Sequence, residues 1–332
     1  MNKSLLNFLL SNSIDFNSDV ELSKFSYFKT GGSAEVIIYP NCQKQLSLCF
    51  KWINKNNLAF KIIGETCNVM FLDNVDYSIF ISTLKLSSIK YNSKESIISA
   101  ECGALLPTLS RFALSFSIKG FEGFEGIPGT VGAAIFMNAG AYGYEIKDVI
   151  ESVDVLLSDG SKKTYSSKQL KLSHRNSIFR KEKINEIILC ARFKANNGNL
   201  LSIYNRMSLF HNKRHKYQEW MYPTLGSIYS GSVYRSLAKK DFFYRVISSV
   251  YYFIFYKLKL FRGEAPDNRK WLNDFTVRRF GIHYDKQPFS NKDMNTLINN
   301  NHHTDQHLDY LEQLHKLIGN DIPIENEIVK KF

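Results

Sequence analysis

Between Gly120 and Tyr142 the chain reads GFEGFEGIPGTVGAAIFMNAGAY, six glycines set among small residues, and no charge appears between Glu125 and Glu145. Glycine at this density constrains the backbone first. Without Cβ atoms the chain turns through φ values closed to other residues and lies directly against a flat or phosphorylated ligand. Its exposed N–H groups can also cradle an anion. A tightly packed loop with no ligand has the same composition, so the order of the surrounding residues must separate the two.

The chain of 332 residues has room for two or three domains with sizeable cores. Hydrophobic residues at 44% against 22% charged describe a globular protein, not a disordered one. A formal charge of +12 raises nucleic acid, membrane surfaces and anionic substrates as partners. No RNA-binding or zinc-finger signature accompanies the charge, so nucleic acid is not expected; the basic residues are scattered except for a crowd between Arg235 and Arg279. Cys42, Cys49, Cys67, Cys102 and Cys190 are odd in number and lack CxxC spacing. Neither a metal site nor a disulfide framework is expected, and the compartment reads as reducing and cytoplasmic. Near the N-terminus, LLNFLL is too short for a signal h-region and is closely followed by Asp15 and Asp19, so it reads as a short docking helix.

Hydrophobic periodicity divides the chain into parts 1–85, 86–196 and 197–332. The first holds strands at 35–39, 60–63 and 77–82 with a helix at 43–54. The second holds a strand at 96–100, an amphipathic helix at 106–116, the glycine-rich run, a hairpin at 150–165 turning on Asp159-Gly160, and a strand at 186–194. Asn196 to Asn199 reads as a linker. The third part opens with a helix at 200–216 and closes with one at 307–318.

Several runs carry a resemblance to one family. Gly126-Ile127-Pro128-Gly129-Thr130-Val131-Gly132, followed by Met137-Asn138-Ala139-Gly140-Ala141-Tyr142-Gly143, resembles the flavin-cradling segment of the UDP-N-acetylenolpyruvoylglucosamine reductase (MurB) family. Phe28-Lys29-Thr30-Gly31-Gly32-Ser33-Ala34 resembles its entry motif. Gly64-Glu65-Thr66-Cys67-Asn68 is similar to its first flavin loop, where the family carries three glycines, serine and asparagine. Only Gly64 and Asn68 keep that pattern. Glu65 places a Cβ and a negative charge where a diphosphate needs close backbone approach, and weaker FAD binding is expected.

Downstream, His174-Arg175-Asn176-Ser177-Ile178-Phe179 resembles the family's tyrosine-arginine-x-serine-x-phenylalanine motif, with histidine at the tyrosine. Arg214 and Gln218 lead to Tyr222-Pro223-Thr224-Leu225-Gly226-Ser227, similar to the family's tyrosine-proline-serine-x-glycine-serine run. Residues 290–299, which include Asn295, resemble a degraded lysine-histidine-alanine-asparagine segment. Ile324-Glu325-Asn326-Glu327-Ile328-Val329 looks like the C-terminal leucine-glutamate-proline-glutamate-valine. Ile228-Tyr229-Ser230-Gly231 departs from the family. So does a divergent insertion at about 233–285, whose apolar, basic run 242–261 stands where the family has a short glycine-rich helix. The charge-free core of that run, between Arg245 and Lys257, is well short of the ~20 residues of a membrane span. That leaves a buried helix, or an interfacial one whose Lys257, Lys259 and Arg262 meet anionic lipid.

The resemblance implies an α+β fold: a two-part FAD-binding domain of the vanillyl-alcohol-oxidase / p-cresol-methylhydroxylase type, then a C-terminal substrate-binding α+β domain. It implies noncovalent FAD, held by Gly64, Glu65, Thr66, Cys67 and Asn68 and by Gly126, Ile127, Pro128, Gly129, Thr130, Gly132, Asn138, Gly140 and Ala141, with NADPH as co-substrate. The implied reaction reduces the enolpyruvyl group of UDP-N-acetylglucosamine enolpyruvate to UDP-N-acetylmuramate in peptidoglycan synthesis, by a monomer. Arg175, Ser227 and Glu327 take the catalytic positions, Ser227 as proton donor; His174, Arg214, Tyr222 and Asn295 take substrate-binding ones. Two other readings stay open. One is a related flavoenzyme acting on another nucleotide sugar for surface polysaccharide, favoured by Ser230-Gly231 and the insertion. The other is a flavin-binding interaction protein without catalysis, suggested by Glu65 and the missing helix.

Overall fold

The computed structural model describes residues 2–182, 186–258 and 266–332. In the first part, helix Lys3–Ser11 docks through Leu5 and Leu9. A four-stranded sheet follows in the order Asp15–Glu21, Ser33–Tyr39, Tyr77–Ser82, Phe60–Ile63, its first pair antiparallel and the others parallel. The parallel strands are covered on both faces, which is why they read as continuous apolar runs. Val36, Ile38, Ile79 and Ile81 pack on Leu46, Cys49, Phe50 and Ile53 of helix Gln43–Lys55, whereas Ile37 and Phe80 pack on Leu22, Phe71 and Val329. Strand Asp15–Glu21 has no apolar alternation because it is a mostly exposed edge.

The second part is a five-stranded antiparallel sheet, in the order Lys162–Ser166, Ile150–Leu156, Ile187–Lys194, Ile97–Glu101, Ile89–Asn92. Helices Leu106–Ser115 and Val131–Met137 cover it, sharing one core with Phe121, Phe124 and Phe193. The glycine-rich run is thus partly helical: Thr130 caps Val131–Met137, and Gly140–Ala141 pairs with Tyr144–Glu145. Gly140 is required there, since a Cβ would fall 2.0 Å from the Tyr144 carbonyl oxygen. The stretch read as a linker is pinned instead. Asn196–Asn197 pairs with Ile118–Lys119, and the Asn199 side chain accepts from Ser202 N at 3.0 Å to cap helix Leu200–Tyr217.

In the third part, strands Thr224–Ser227 and Thr296–Ile298 and helices Val233–Lys240, Phe242–Tyr252, Lys270–Phe280 and Thr304–Ile318 enclose a core of Tyr229, Tyr234, Tyr244, Phe289 and Tyr310. Phe28, from the entry motif, is buried in this core, and Asn299 donates to the Phe28 and Lys29 carbonyls, both at 2.9 Å. The chain finally returns to its first part, where Glu327–Val329 runs parallel to Val69–Phe71. That return carries residues 324–327 past the 64–68 loop.

Within the run 242–261, helix Phe242–Tyr252 has one face buried and the other exposed. Tyr244, Ser248 and Tyr251 are buried, with the Tyr244 hydroxyl 2.8 Å from Thr276 Oγ1, while Phe242, Phe243, Val246, Val250 and Phe253 are exposed. A π-helical turn, Phe253–Leu258, continues it; Lys259 and Arg262 lie outside the described residues. Among the described residues no helix is long and apolar enough to cross a membrane.

Candidate active site

Two glycine-bearing loops from different parts abut. A Cβ on Gly64 would fall 2.6 Å from Thr130 Oγ1, and one on Gly129 would fall 3.1 Å from Cys67 Sγ. Together they form one rim of backbone. The N–H groups of Glu65, Thr66, Cys67, Asn68 and Thr130 donate to no acceptor among the described residues. Thr66 has φ +60 and Gly129 φ +121, the positive-φ backbone that anion-binding concavities use. A close rim of open amides fits a flat, phosphorylated cofactor. The Gly129 N–H is already taken, by Glu65 Oε2 at 2.6 Å. Burial, then the charge of Glu65, pushes the Cys67 thiol up to about 12, so that side chain is no thiolate nucleophile.

An open cleft of about 320 Å³ is lined by Gly140, Ala141, Glu145, His174 and Arg175 among others. Arg175 sits at φ +53 in a tight turn closed by reciprocal Ser173 and Asn176 backbone hydrogen bonds of 3.1 and 3.0 Å. Its Nε donates to Glu325 Oε1 at 3.1 Å, and neither Nη group has a hydrogen-bond partner among the described residues. Arg180 ties the two segments by donating to the Arg175 carbonyl at 2.9 Å and the Ile324 carbonyl at 3.2 Å. His174 is exposed, 3.6 Å from Glu145.

Ser227 ends strand Thr224–Ser227, exposed, and its hydroxyl bonds to nothing among the described residues. Its backbone is fixed by Asn326, whose Nδ2 donates to the carbonyls of Ser227 at 3.2 Å and Leu225 at 3.0 Å and to Asn68 Oδ1 at 2.8 Å. One buried carboxamide therefore links the first loop, the Ser227 strand and the C-terminal segment. Asn68 Nδ2 returns a bond to the Glu325 carbonyl at 3.0 Å. Glu327 forms an ion pair with Lys61.

Several other expected site residues bond to the protein's own backbone. Arg214 is 4% exposed, its Nη2 3.3 Å from the Gly123 carbonyl and its guanidinium 5.1 Å above the Tyr142 ring; burial draws its pKa down. It packs against the glycine-rich run at Gly126, where a Cβ would fall 2.9 Å from Arg214 Cδ. Asn295 spends its amide on Tyr229 and Gly231, and Asn138 spends its own on Glu145, Ser173 and Lys147. Tyr222 is half-buried just before the Ser227 strand. Glu325, Asn326, Lys61 and Arg180 are the additions. The run 324–327 drew attention in sequence for Glu327, but nothing in linear order says which glutamate meets Arg175. Among the described residues no group of three or more His, Cys, Asp or Glu is placed to hold a metal.

Residues 34–165 match the FAD binding domain family. The chain is 33% identical over 216 residues to the UDP-N-acetylenolpyruvoylglucosamine reductase of Lactobacillus gasseri, covering 65% of this chain and 71% of the relative. It is 33% identical over 225 residues to that of Lactobacillus acidophilus, covering 68% and 74%. The structure of UDP-N-acetylenolpyruvylglucosamine reductase (MurB) from Thermus caldophilus superposes with a TM-score of 0.66 at 18% identity, over 96% of this chain and 99% of the other. The α+β architecture is therefore that of a two-part FAD-binding domain with a C-terminal α+β domain.

Proposed function

Because the chain belongs to the UDP-N-acetylenolpyruvoylglucosamine reductase family, we propose that Arg175, Ser227 and the two glutamates of the C-terminal return perform that family's reaction here. The protein is an FAD-dependent oxidoreductase that uses NADPH to reduce the enolpyruvyl group of UDP-N-acetylglucosamine enolpyruvate, a step of peptidoglycan synthesis. The observation that supports the residue roles is the meeting of Arg175, Ser227 and Glu325 beside the 64–68 loop, from segments far apart in sequence. The backbones of 64–68, 126–132, Gly140 and Ala141 would hold FAD noncovalently. When bound, FAD supplies hydride relay from NADPH to the enolpyruvyl double bond.

Hydride addition at one alkene carbon builds negative charge on the other and into the adjoining carboxylate. Arg175 opposes that charge with its Nη groups, while Glu325 fixes the guanidinium through Nε. Ser227, with its free hydroxyl and anchored backbone, then protonates the carbon. Glu327, held by Lys61, keeps the family's carboxylate position. The open Ser227 hydroxyl favours a working enzyme over a flavin-binding protein without catalysis. NADPH oxidation by the purified FAD-loaded protein should require the enolpyruvyl nucleotide sugar and yield the lactyl ether. Turnover with a different nucleotide sugar in its place would overturn the substrate assignment.

We place the enzyme in the cytoplasm as a monomer that touches anionic membrane through the outer face of Phe242–Tyr252. Phe242, Phe243 and Phe253 are exposed, and each carries a cation over its ring: Arg245 at 5.0 Å, Arg279 at 5.5 Å and Lys257 at 5.8 Å. Apolar rings below basic heads suit the lipid headgroup boundary. Asp241 offsets Arg279 at 2.6 Å. Each unpaired cation near an anionic surface adds about 1 kcal/mol, which salt removes. The protein should therefore sediment with phosphatidylglycerol vesicles at low salt and release at high salt, and Phe242→Ser with Phe243→Ser should abolish sedimentation. A dimer in solution with no vesicle binding would assign the face to self-association instead.

A further inference from the structure

Glu65 is the only acidic side chain in loops 64–68 and 126–132, and its carboxylate accepts from the Gly129 N–H at 2.6 Å. No Lys, Arg or His pairs with it among the described residues. Around it stand the open N–H groups of residues 65–68 and of Thr130. Thr66 and Gly129 both have positive φ, and the Thr66 hydroxyl accepts from Tyr27 N at 2.9 Å, fixing the first loop. The concavity is built from donors, and among the described residues the carboxylate that bonds to its rim is that of Glu65. On the reading that these two loops hold FAD, a diphosphate brought to the Gly129 N–H meets a carboxylate bonded to the same hydrogen.

We propose that Glu65 is an internal counter-anion of the phosphate-binding rim, so that FAD binds by displacing it and is held as an exchangeable cofactor. Until displaced, the carboxylate satisfies an amide that would otherwise stay unpaired when FAD is absent, which costs free energy in a partly buried site. Once displaced, it remains a like charge beside the phosphates. Both effects lower affinity for phosphorylated flavins and leave a flavin without phosphate untouched.

The test measures dissociation constants of FAD and riboflavin for the full-length apoprotein, from quenching of flavin fluorescence, in wild type, Glu65→Gly and Glu65→Gln. Glu65→Gly should bind FAD about 10- to 100-fold tighter, the scale of one charge-assisted hydrogen bond, and Glu65→Gln about 10-fold tighter. Riboflavin affinity should stay within about twofold throughout. Glu65→Gln is nearly isosteric and keeps the test valid where Glu65→Gly misfolds. Unchanged FAD affinity in variants of a protein that binds FAD, or equal tightening of riboflavin, overturns the inference alone. Failure of every variant to bind any flavin overturns the cofactor assignment on which it rests, and the inference with it.

Discussion

Ser227→Ala is expected to leave reduction of the flavin by NADPH near the wild-type rate while slowing the half-reaction with the enolpyruvyl substrate by at least ~10²-fold. A serine is a weak acid, so it delivers a proton only to a strongly basic carbon held within reach. The local structure meets the positional half of that demand. Gly226, at φ +72, turns the strand end outward, and Asn326 clamps the Ser227 carbonyl, so the hydroxyl's place is set by backbone that alanine keeps. The serine hydroxyl supports no other group among the described residues, so its loss should be chemical. Equal slowing of both half-reactions would mark a structural defect and remove Ser227 as the acid.

Arg175→Lys should slow the same half-reaction by about 10- to 100-fold although the charge is kept. The reason is in the geometry. Arg175 uses Nε on Glu325 and leaves both Nη groups open, so one guanidinium can be anchored and still grip a carboxylate through two parallel bonds. Lysine has a single nitrogen and must choose. It would either stay on Glu325 and leave the substrate, or follow the substrate and leave Glu325 as an unpaired carboxylate that is only 15% exposed. NADPH reduction of the flavin uses neither contact and should be spared. A lysine variant with wild-type rates in both half-reactions would show that Arg175 does not bear the developing charge.

Those two residues were legible in sequence only through motif order, whereas most of the fold followed from periodicity. Strands Phe60–Ile63 and Tyr77–Ser82 carry the apolar runs of a parallel sheet covered on both sides, and the structure has them at those positions. Strand Asp15–Glu21 escaped because DFNSDVE is an edge in which only Phe16 and Val20 are partly buried, too few to make a readable alternation. Helix Val131–Met137 was hidden because Gly129, Gly132 and Gly140 in and around it signal flexible backbone, while its packing on the second sheet is a tertiary fact. The 242–261 run defeated a choice between buried and interfacial because helix Phe242–Tyr252 buries one face and exposes apolar side chains on the other.

At the site, residue types near the rim were readable and their partners were not. Glu325 and Glu327 lie two apart in sequence with a bend at Asn326 between them, and one meets Arg175 while the other meets Lys61. Only the parallel pairing of Glu327–Val329 with Val69–Phe71 decides that, and it joins residues more than 250 positions apart. Arg214 and Asn295 belong to the same lesson. Both occupy motif positions expected to touch substrate, and both spend their hydrogen bonds on backbone that shapes the site. Arg214 has the Gly123 carbonyl as its backbone acceptor and Asn295 has those of Tyr229 and Gly231, contacts that sequence cannot show.

The most direct measurement is anaerobic stopped-flow of the wild-type protein, loaded with FAD, reduced by one equivalent of NADPH and mixed with UDP-N-acetylglucosamine enolpyruvate. The account predicts rapid return of the oxidised flavin colour with stoichiometric formation of UDP-N-acetylmuramate, and no return without the enolpyruvyl compound. A flavin that NADPH reduces but that this substrate fails to reoxidise would contradict it.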